Sequence, residues 1–185
     1  MLALIVGAAI LIKVTGIVRI SGVTAKGIEE AREEAFRPHL GEYLSRDGLT
    51  DASAEGKPYI AGRLVAIDVP KQKVAHDVLT WLPGEIRAES HAEVGTVVWV
   101  DCHEQQGASY EIEGQPDKKL AGLVSACTVT IIDRGARKIV GRTTILGEQS
   151  EVTKLTQQQV ESDGAIVSER PLGKVVDHLK ALPRR

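Results

Sequence analysis

The chain opens with its longest apolar run, which covers residues 2–12 and contains no polar side chain. Lys13 and Arg19 follow among further apolar residues. A helix that spans a bilayer needs about 20 mainly apolar residues, and a long lysine side chain can reach toward the interface. The pattern therefore predicts a transmembrane helix over residues 1–20. A buried core element and a cleaved signal peptide are the alternatives, although no basic region precedes the run and no cleavage motif directly follows it.

After this run the pattern becomes helical and then irregular. Residues 28–37 are rich in helix formers and carry a thin apolar stripe, which Pro38 ends. Residues 41–58 are polar and rich in turn formers. We therefore interpret residues 21–57 as a juxtamembrane helix followed by a linker.

Short runs of apolar and β-branched residues, separated by turn residues, fill the next part of the chain. The predicted strands cover residues 59–69, 74–82, 94–103, 108–113, 123–133 and 138–146. The sequence PKQK connects the first two, and RGAR connects the last two into the clearest hairpin. Strands at this spacing with no helix between them predict a mainly β domain, either an antiparallel sandwich or a small barrel of about five to seven strands.

The C-terminal residues return to helical spacing. Between Pro171 and Pro183, apolar residues recur on one side of a helix, namely Leu172, Val175, Val176, Leu179 and Leu182. This stripe predicts an amphipathic helix over residues 171–182 that packs on the sheet. The β-rich domain, with this helix, then extends over residues 58–185.

Charge and aromatic content argue against a nucleic-acid-binding protein. The formal net charge is -2, and no dense Lys/Arg cluster offsets it, so the chain lacks the electrostatic footprint of a nucleic-acid binder. One Phe, two Trp and three Tyr leave few rings for base stacking. Lys13, Arg19 and Lys26 all follow the apolar run, and the positive-inside rule then places the β domain on the cytoplasmic side of the membrane.

Four residues are the candidates for a small hydrolase-like site, namely His76, His91, Cys102 and His103. Neighbouring residues on a strand point to opposite faces, so Cys102 and His103 cannot pair on one regular strand. Two buried free thiols are the preferred interpretation of Cys102 and Cys127, and a single disulfide between them is the alternative. Neither C-x-x-C nor H-x-x-x-H spacing occurs, and the sequence predicts no metal site and no cofactor.

Three further charged residues are candidates for a role in catalysis or binding. Asp68 and Asp133 end β-branched runs, where an aspartate accepts backbone N–H groups of a turn more often than it performs acid–base catalysis. Arg87 follows a Pro-Gly turn and is a candidate contact for a partner or an anion. A surface salt bridge is the alternative interpretation of Arg87.

A series of segments resembles a bacterial family of uncharacterised proteins that carry a short hydrophobic N-terminus and a β-rich domain. The segments are YIAGRLVAID, LPGEIRA, EVGTVVWV, CTVTIIDRGARKIVG and the terminal LPRR. The resemblance covers roughly residues 58–185. It implies the architecture described above and implies no activity, because it consists of strands and turns rather than of reactive groups.

The function expected from these observations is that of a non-catalytic β module, tethered to a membrane, for protein binding or scaffolding. It would contact lipid through residues 1–20 and a protein partner through its β domain. One alternative is a small hydrolase-like enzyme that uses His76, His91, Cys102 and His103. The other is a soluble domain that holds residues 1–20 in its core.

Overall fold

The computed structural model describes residues 25–112, 114–148, 154–155 and 167–185. The chain divides into two units, Met1–Ala31 and Arg32–Arg185, and the second unit contains every strand of the described ranges. The predicted transmembrane helix over residues 1–20, and the alternative that places this segment in the core, lie outside the described residues. Within the described ranges, no helix is long and apolar enough to cross a membrane.

The described residues form four helices and seven strands. The helices are α1 (Ala25–Phe36), α2 (Leu40–Leu44), α3 (His76–Leu79) and α4 (Leu172–Lys180), with 3-10 turns at Arg37–His39 and His91–Glu93. The strands are β1 (Thr50–Asp51), β2 (Arg63–Asp68), β3 (Lys73–Val74), β4 (Val94–Ile112), β5 (Gln115–Asp133), β6 (Lys138–Leu146) and β7 (Lys154–Leu155).

The strands form one mixed sheet in the order β1-β6-β5-β4-β2-β3, with β7 paired to β4. The mainly β prediction is confirmed, whereas the prediction of an antiparallel sandwich or small barrel is wrong, because the sheet is open and β2 runs parallel to β4. A parallel pair needs a crossover connection, and residues 69–93, which include β3 and α3, supply it. Apolar residues of α1, α2, α3 and α4 join the core of the sheet in place of a second sheet.

The predicted second strand is cut short and gives way to a four-residue helix. Val74 pairs with Ile67 of β2, so the hairpin at PKQK is confirmed, but its second arm is only two residues long. The chain then turns into α3, where the consecutive residues Val78 and Leu79 are both buried. A strand with one covered face would bury alternate residues, and the helix instead buries both neighbours against the core.

The hairpin of β4 and β5 is longer than the pattern predicts. The pattern predicts separate strands over residues 94–103 and 108–113, yet β4 runs without interruption over Val94–Ile112. The polar residues at 104–106 stay in the strand because they pair with residues 123–125 of β5. Gly114, with a φ of 79°, lies at the turn, and Gln115 already belongs to β5.

The C-terminal helix forms over Leu172–Lys180 and packs as its apolar stripe predicts. Val175, Val176 and Leu179 are buried in the core, and Leu172 and Leu182 pack against its margin.

Cys102 and Cys127 are joined by a disulfide, so the interpretation as two free thiols is wrong. The register of β4 and β5 places the two residues directly opposite each other, with their Cα atoms 4.0 Å apart. Local sequence does not determine this register, so it could not predict the bond. Cys127 is fully buried, whereas Cys102 is half-buried.

Candidate functional site

A pocket of about 520 Å³ lies between α2 and the turn that joins β5 to β6. Apolar side chains form most of its floor, namely Tyr43, Leu49, Val94, Val97 and Ile132. Charged and polar side chains surround its mouth, namely Glu42, Ser45, Asp47, Arg134 and Arg137. Pockets of roughly 300–1,000 Å³ hold small molecules, so this one also suffices for a single large side chain of a partner protein.

The short helix α2 supplies one wall of the pocket. Consecutive helical residues point about 100° apart, so Glu42 faces solvent while Tyr43 is buried against the core. Trp99 of β4 donates from its Nε1 to the carbonyl oxygen of Tyr43 at 2.7 Å. This buried hydrogen bond fixes α2 to the sheet.

The turn between β5 and β6 supplies the opposite wall. Asp133 Oδ1 accepts a hydrogen bond from the backbone N–H of Ala136 at 2.9 Å, as expected for an aspartate that stabilises a turn. Arg137 has a left-handed φ of 52° and donates from its guanidinium to the carbonyl oxygen of Asp47 at 2.7 Å. The turn therefore projects Arg134 and Arg137 toward the pocket mouth.

A continuous hydrogen-bond chain joins His91 to three residues that line the pocket. The Oη atom of Tyr43 lies 2.6 Å from Nδ1 of His91, and Arg134 donates to Nε2 of His91 at 3.0 Å and to Glu42 Oε1 at 2.9 Å. An arginine can only donate, so Nε2 is the acceptor of a neutral imidazole and the ring proton is on Nδ1. Nδ1–H then donates to the Tyr43 oxygen, and the tyrosine proton is free for another acceptor.

A second histidine completes the cluster. The His39 ring stacks on the His91 ring, with centroids 3.4 Å apart and an interplanar angle of 17°. Glu42 Oε2 lies 3.9 Å from Nε2 of His91. The ligand atoms of His39, Glu42 and His91 all lie within 4.8 Å of one another.

Burial and the neighbouring charges set the ionisation of the cluster. Burial raises the pKa of Tyr43 to about 12, so the phenol stays protonated near pH 7. Burial, assisted by Arg134 and His39, lowers the pKa of His91 and favours its neutral form. The hydrogen bond from Arg134 lowers the pKa of Glu42 and keeps it ionised. A tyrosine that stays protonated is a weak nucleophile, so Tyr43 is poorly suited to covalent catalysis.

Of the four residues considered for a hydrolase-like site, His91 alone lies at this cluster. His76 bonds instead to Glu33, with 3.1 Å between Nε2 and Oε2. Cys102 is held in the disulfide and offers no thiolate, and His103 is exposed on β4. The structure therefore does not bring the four residues together.

Arg87 and Asp68, the other charged candidates, contact neighbouring residues of this chain. Arg87 donates from Nε to Glu89 Oε1 at 2.8 Å and from Nη1 to the carbonyl oxygen of Leu79 at 3.2 Å. Asp68 accepts a hydrogen bond from the backbone N–H of Lys71 and forms an ion pair with its amine at 3.0 Å. These contacts agree with a salt bridge for Arg87 and with a turn for Asp68.

Sequence reasoning missed His39, Glu42 and Arg134. His39 follows the proline that ends the first helical pattern, and Glu42 lies in the segment interpreted as a linker. Arg134 belongs to the RGAR turn, which indicated a hairpin but gave no sign of what the turn contacts. His91 was a candidate, but its partners come from residues 39–43 and 134, far away along the chain.

No family model, curated protein or solved structure matches this chain. The resemblance of residues 58–185 to a bacterial family therefore stays an expectation.

Proposed function

We propose that this chain is a non-catalytic binding module, tethered to a membrane by residues 1–20, that recognises a protein partner through the pocket between α2 and the β5–β6 turn. The observation that carries the proposal is the apolar floor of this pocket, which opens at the surface beneath a charged rim. Such a pocket accepts an apolar or aromatic anchor residue while the rim contacts the polar surroundings of that anchor.

The charged rim is already satisfied before a partner binds. Arg134 pairs with Glu42 at 2.8 Å, and Arg137 bonds to the Asp47 carbonyl oxygen. An entering apolar side chain would therefore displace solvent from the floor without breaking a charge pair. Full burial of one large side chain contributes about 1.5–3 kcal/mol, which alone gives only weak binding. Tethering both partners to one membrane would raise their effective concentration and compensate for that weakness.

The tether can be tested by cell fractionation. The full-length chain and a chain that lacks residues 1–22 are expressed side by side, and their distribution between membrane and supernatant is measured. We expect the full-length protein in the membrane fraction and the truncated protein, still folded, in the supernatant. If both forms stay in the supernatant and only the full-length form is folded, residues 1–20 belong to the core and the tether is wrong.

The pocket can be tested by filling it. A Cβ atom at Gly135 would meet only Asp133 Oδ1, at 3.6 Å, so a side chain can start there at the pocket edge, and Gly135→Trp is the filling variant. Gly84→Trp is the matched control, because a Cβ atom there meets nothing within 4 Å and Gly84 is not among the residues that line the pocket.

The readout is a photo-crosslinker placed at Ser45, a residue of the pocket mouth, in the full-length chain in its native membranes. We expect one discrete crosslinked partner that Gly135→Trp removes and Gly84→Trp retains, while both variants melt like the parent protein. Crosslinking that is equal in the two variants would contradict the proposed pocket.

A further inference from the structure

Two histidines and one glutamate, from two segments that are far apart along the chain, meet beside the pocket, and the glutamate also lines it. His39 ends the first 3-10 turn, Glu42 lies on α2, and His91 begins the second 3-10 turn. Their ligand atoms lie within 4.8 Å of one another. Two imidazole nitrogens and one carboxylate are a recurrent ligand set of zinc sites that keep a coordination position open.

A positive charge already lies between two of these ligands. Nη2 of Arg134 is 2.8 Å from Glu42 Oε1 and 3.0 Å from His91 Nε2. The lone pair of the imidazole and the carboxylate thus both point at one cationic group. The Arg134 side chain is about one-third exposed, at 33%. It therefore has a path into solvent if another cation takes its place.

The spacing of Glu42 and His91 and the outer partner of His91 fit a transition-metal ion, and His39 joins them when its ring turns out of its stack on His91. Two ligand atoms on a tetrahedral Zn²⁺ lie about 3.3 Å apart, since each metal–ligand distance is about 2.0–2.1 Å. Glu42 Oε2 and His91 Nε2, now 3.9 Å apart, need only a small approach. His91 also donates its Nδ1 proton to Tyr43 Oη, which orients the ring and leaves Nε2 for the metal.

We propose that His39, Glu42 and His91 form a binding site for a divalent transition metal, with Zn²⁺ the favoured ion, and that the metal replaces the Arg134 guanidinium. Because metal and guanidinium compete for the same two ligands, binding releases Arg134 from Glu42 and His91. The proposal does not depend on a protein partner, so it stands or falls separately from the proposed function.

The test measures Zn²⁺ affinity of the full-length, tag-free protein by competition with a chromophoric chelator, and records the absorption spectrum of the Co²⁺ form. We expect one ion per chain. Changes to outer partners of a metal site typically cost about 10–100-fold in affinity, so Tyr43→Phe should weaken binding about tenfold. His39→Ala and Glu42→Gln should weaken it by about 100-fold or more, because each removes a ligand.

Arg134→Ala gives the decisive comparison. It removes the competing cation and should tighten Zn²⁺ binding, whereas a site unrelated to this cluster would not respond. His103→Ala is the matched control, because it removes an exposed histidine outside the cluster and should leave the affinity unchanged. Glu42 is half exposed, at 50%, so Glu42→Gln should retain the fold even if a histidine variant does not.

Three results would overturn the site. The first is no binding by the parent protein at micromolar Zn²⁺. The second is equal binding by the parent, His39→Ala and Glu42→Gln. The third is weaker binding by Arg134→Ala in a protein whose melting curve is unchanged, since that would make the arginine a supporting group rather than a competitor.

Discussion

A histidine of the C-terminal helix makes the stability of the fold depend on pH. Nε2 of His178 is buried and has no hydrogen-bond partner among the described residues. Burial lowers the pKa of this imidazole, because the charged form cannot be solvated there. In the unfolded chain the group titrates near its ordinary pKa of about 6.5. The unfolded state therefore binds more protons than the folded state in the window between the two pKa values.

This difference predicts that the protein loses stability in mild acid. The contribution of His178 is fully present above about pH 7 and is lost as the pH falls through 6.5 toward the lowered pKa. His91 acts in the same direction, since its pKa is also lowered. Urea melts across this range should show a smaller free energy of unfolding at acidic pH. His178→Leu should flatten part of this slope, and His103→Ala should not. A slope unchanged by His178→Leu would contradict the assignment.

Ile131 shows the other kind of residue effect, the loss of packed volume. It is 1% exposed and lies on β5 between Val98 of β4 and Gly141 of β6. Ile131→Ala should lower the free energy of unfolding by about 2–5 kcal/mol, because it removes buried atoms and leaves a cavity. Ile145→Ala, at a half-buried position of β6, is the control and should cost less. A loss below about 1 kcal/mol for Ile131→Ala in urea melts would show that this hairpin is not central.

At the scale of single elements, prediction succeeded where one periodicity was unambiguous. β6 and α4 form where the pattern placed them, because β-branched alternation and helical spacing each fit only one structure there. Residues 74–82 suited both a strand and a helix, and tertiary packing selected α3. The polar residues at 104–106 look like a loop, but they pair across β4 and β5, which local sequence cannot reveal.

The packing of α4 yields a prediction of its own. Val176 is 3% exposed and faces the core, so Val176→Asp would bury a charge that has no partner. Substitutions that bury an unpaired charge cost about 4 kcal/mol or more, and each kcal/mol lowers the melting temperature of a chain this size by about 2–4 °C. We therefore expect the melting temperature to fall by about 10 °C or more.

Lys180→Asp places the same side chain on the exposed side of α4 and serves as the control. If Val176→Asp melts like the parent protein but loses a partner in pull-downs, the apolar stripe is a recognition surface rather than part of the core.

At the scale of the whole molecule, the pocket depends on features that no local pattern contains. The parallel pairing of β2 with β4 and the register of β4 with β5 determine where the segments around His39, His91 and Arg134 meet. Strand direction and register are tertiary properties, so the sequence indicated His91 as a candidate but could not supply its neighbours. Arg87, the residue considered as a partner or anion contact, forms an ion pair with Glu89.

The bond between Cys102 and Cys127 bears on the compartment in which the β domain folds. Disulfides persist in oxidising compartments such as the periplasm and are rare in the reducing cytosol. The bond therefore predicts that the β domain is exported across the membrane, whereas the basic residues after the apolar run predict that it stays inside. Cells are quenched in acid and their thiols are then alkylated, which distinguishes an exported domain from a cytosolic one. For an exported domain, both cysteines react with a maleimide after reduction and neither reacts before it. Thiols that react without a reductant would place the domain in the cytosol.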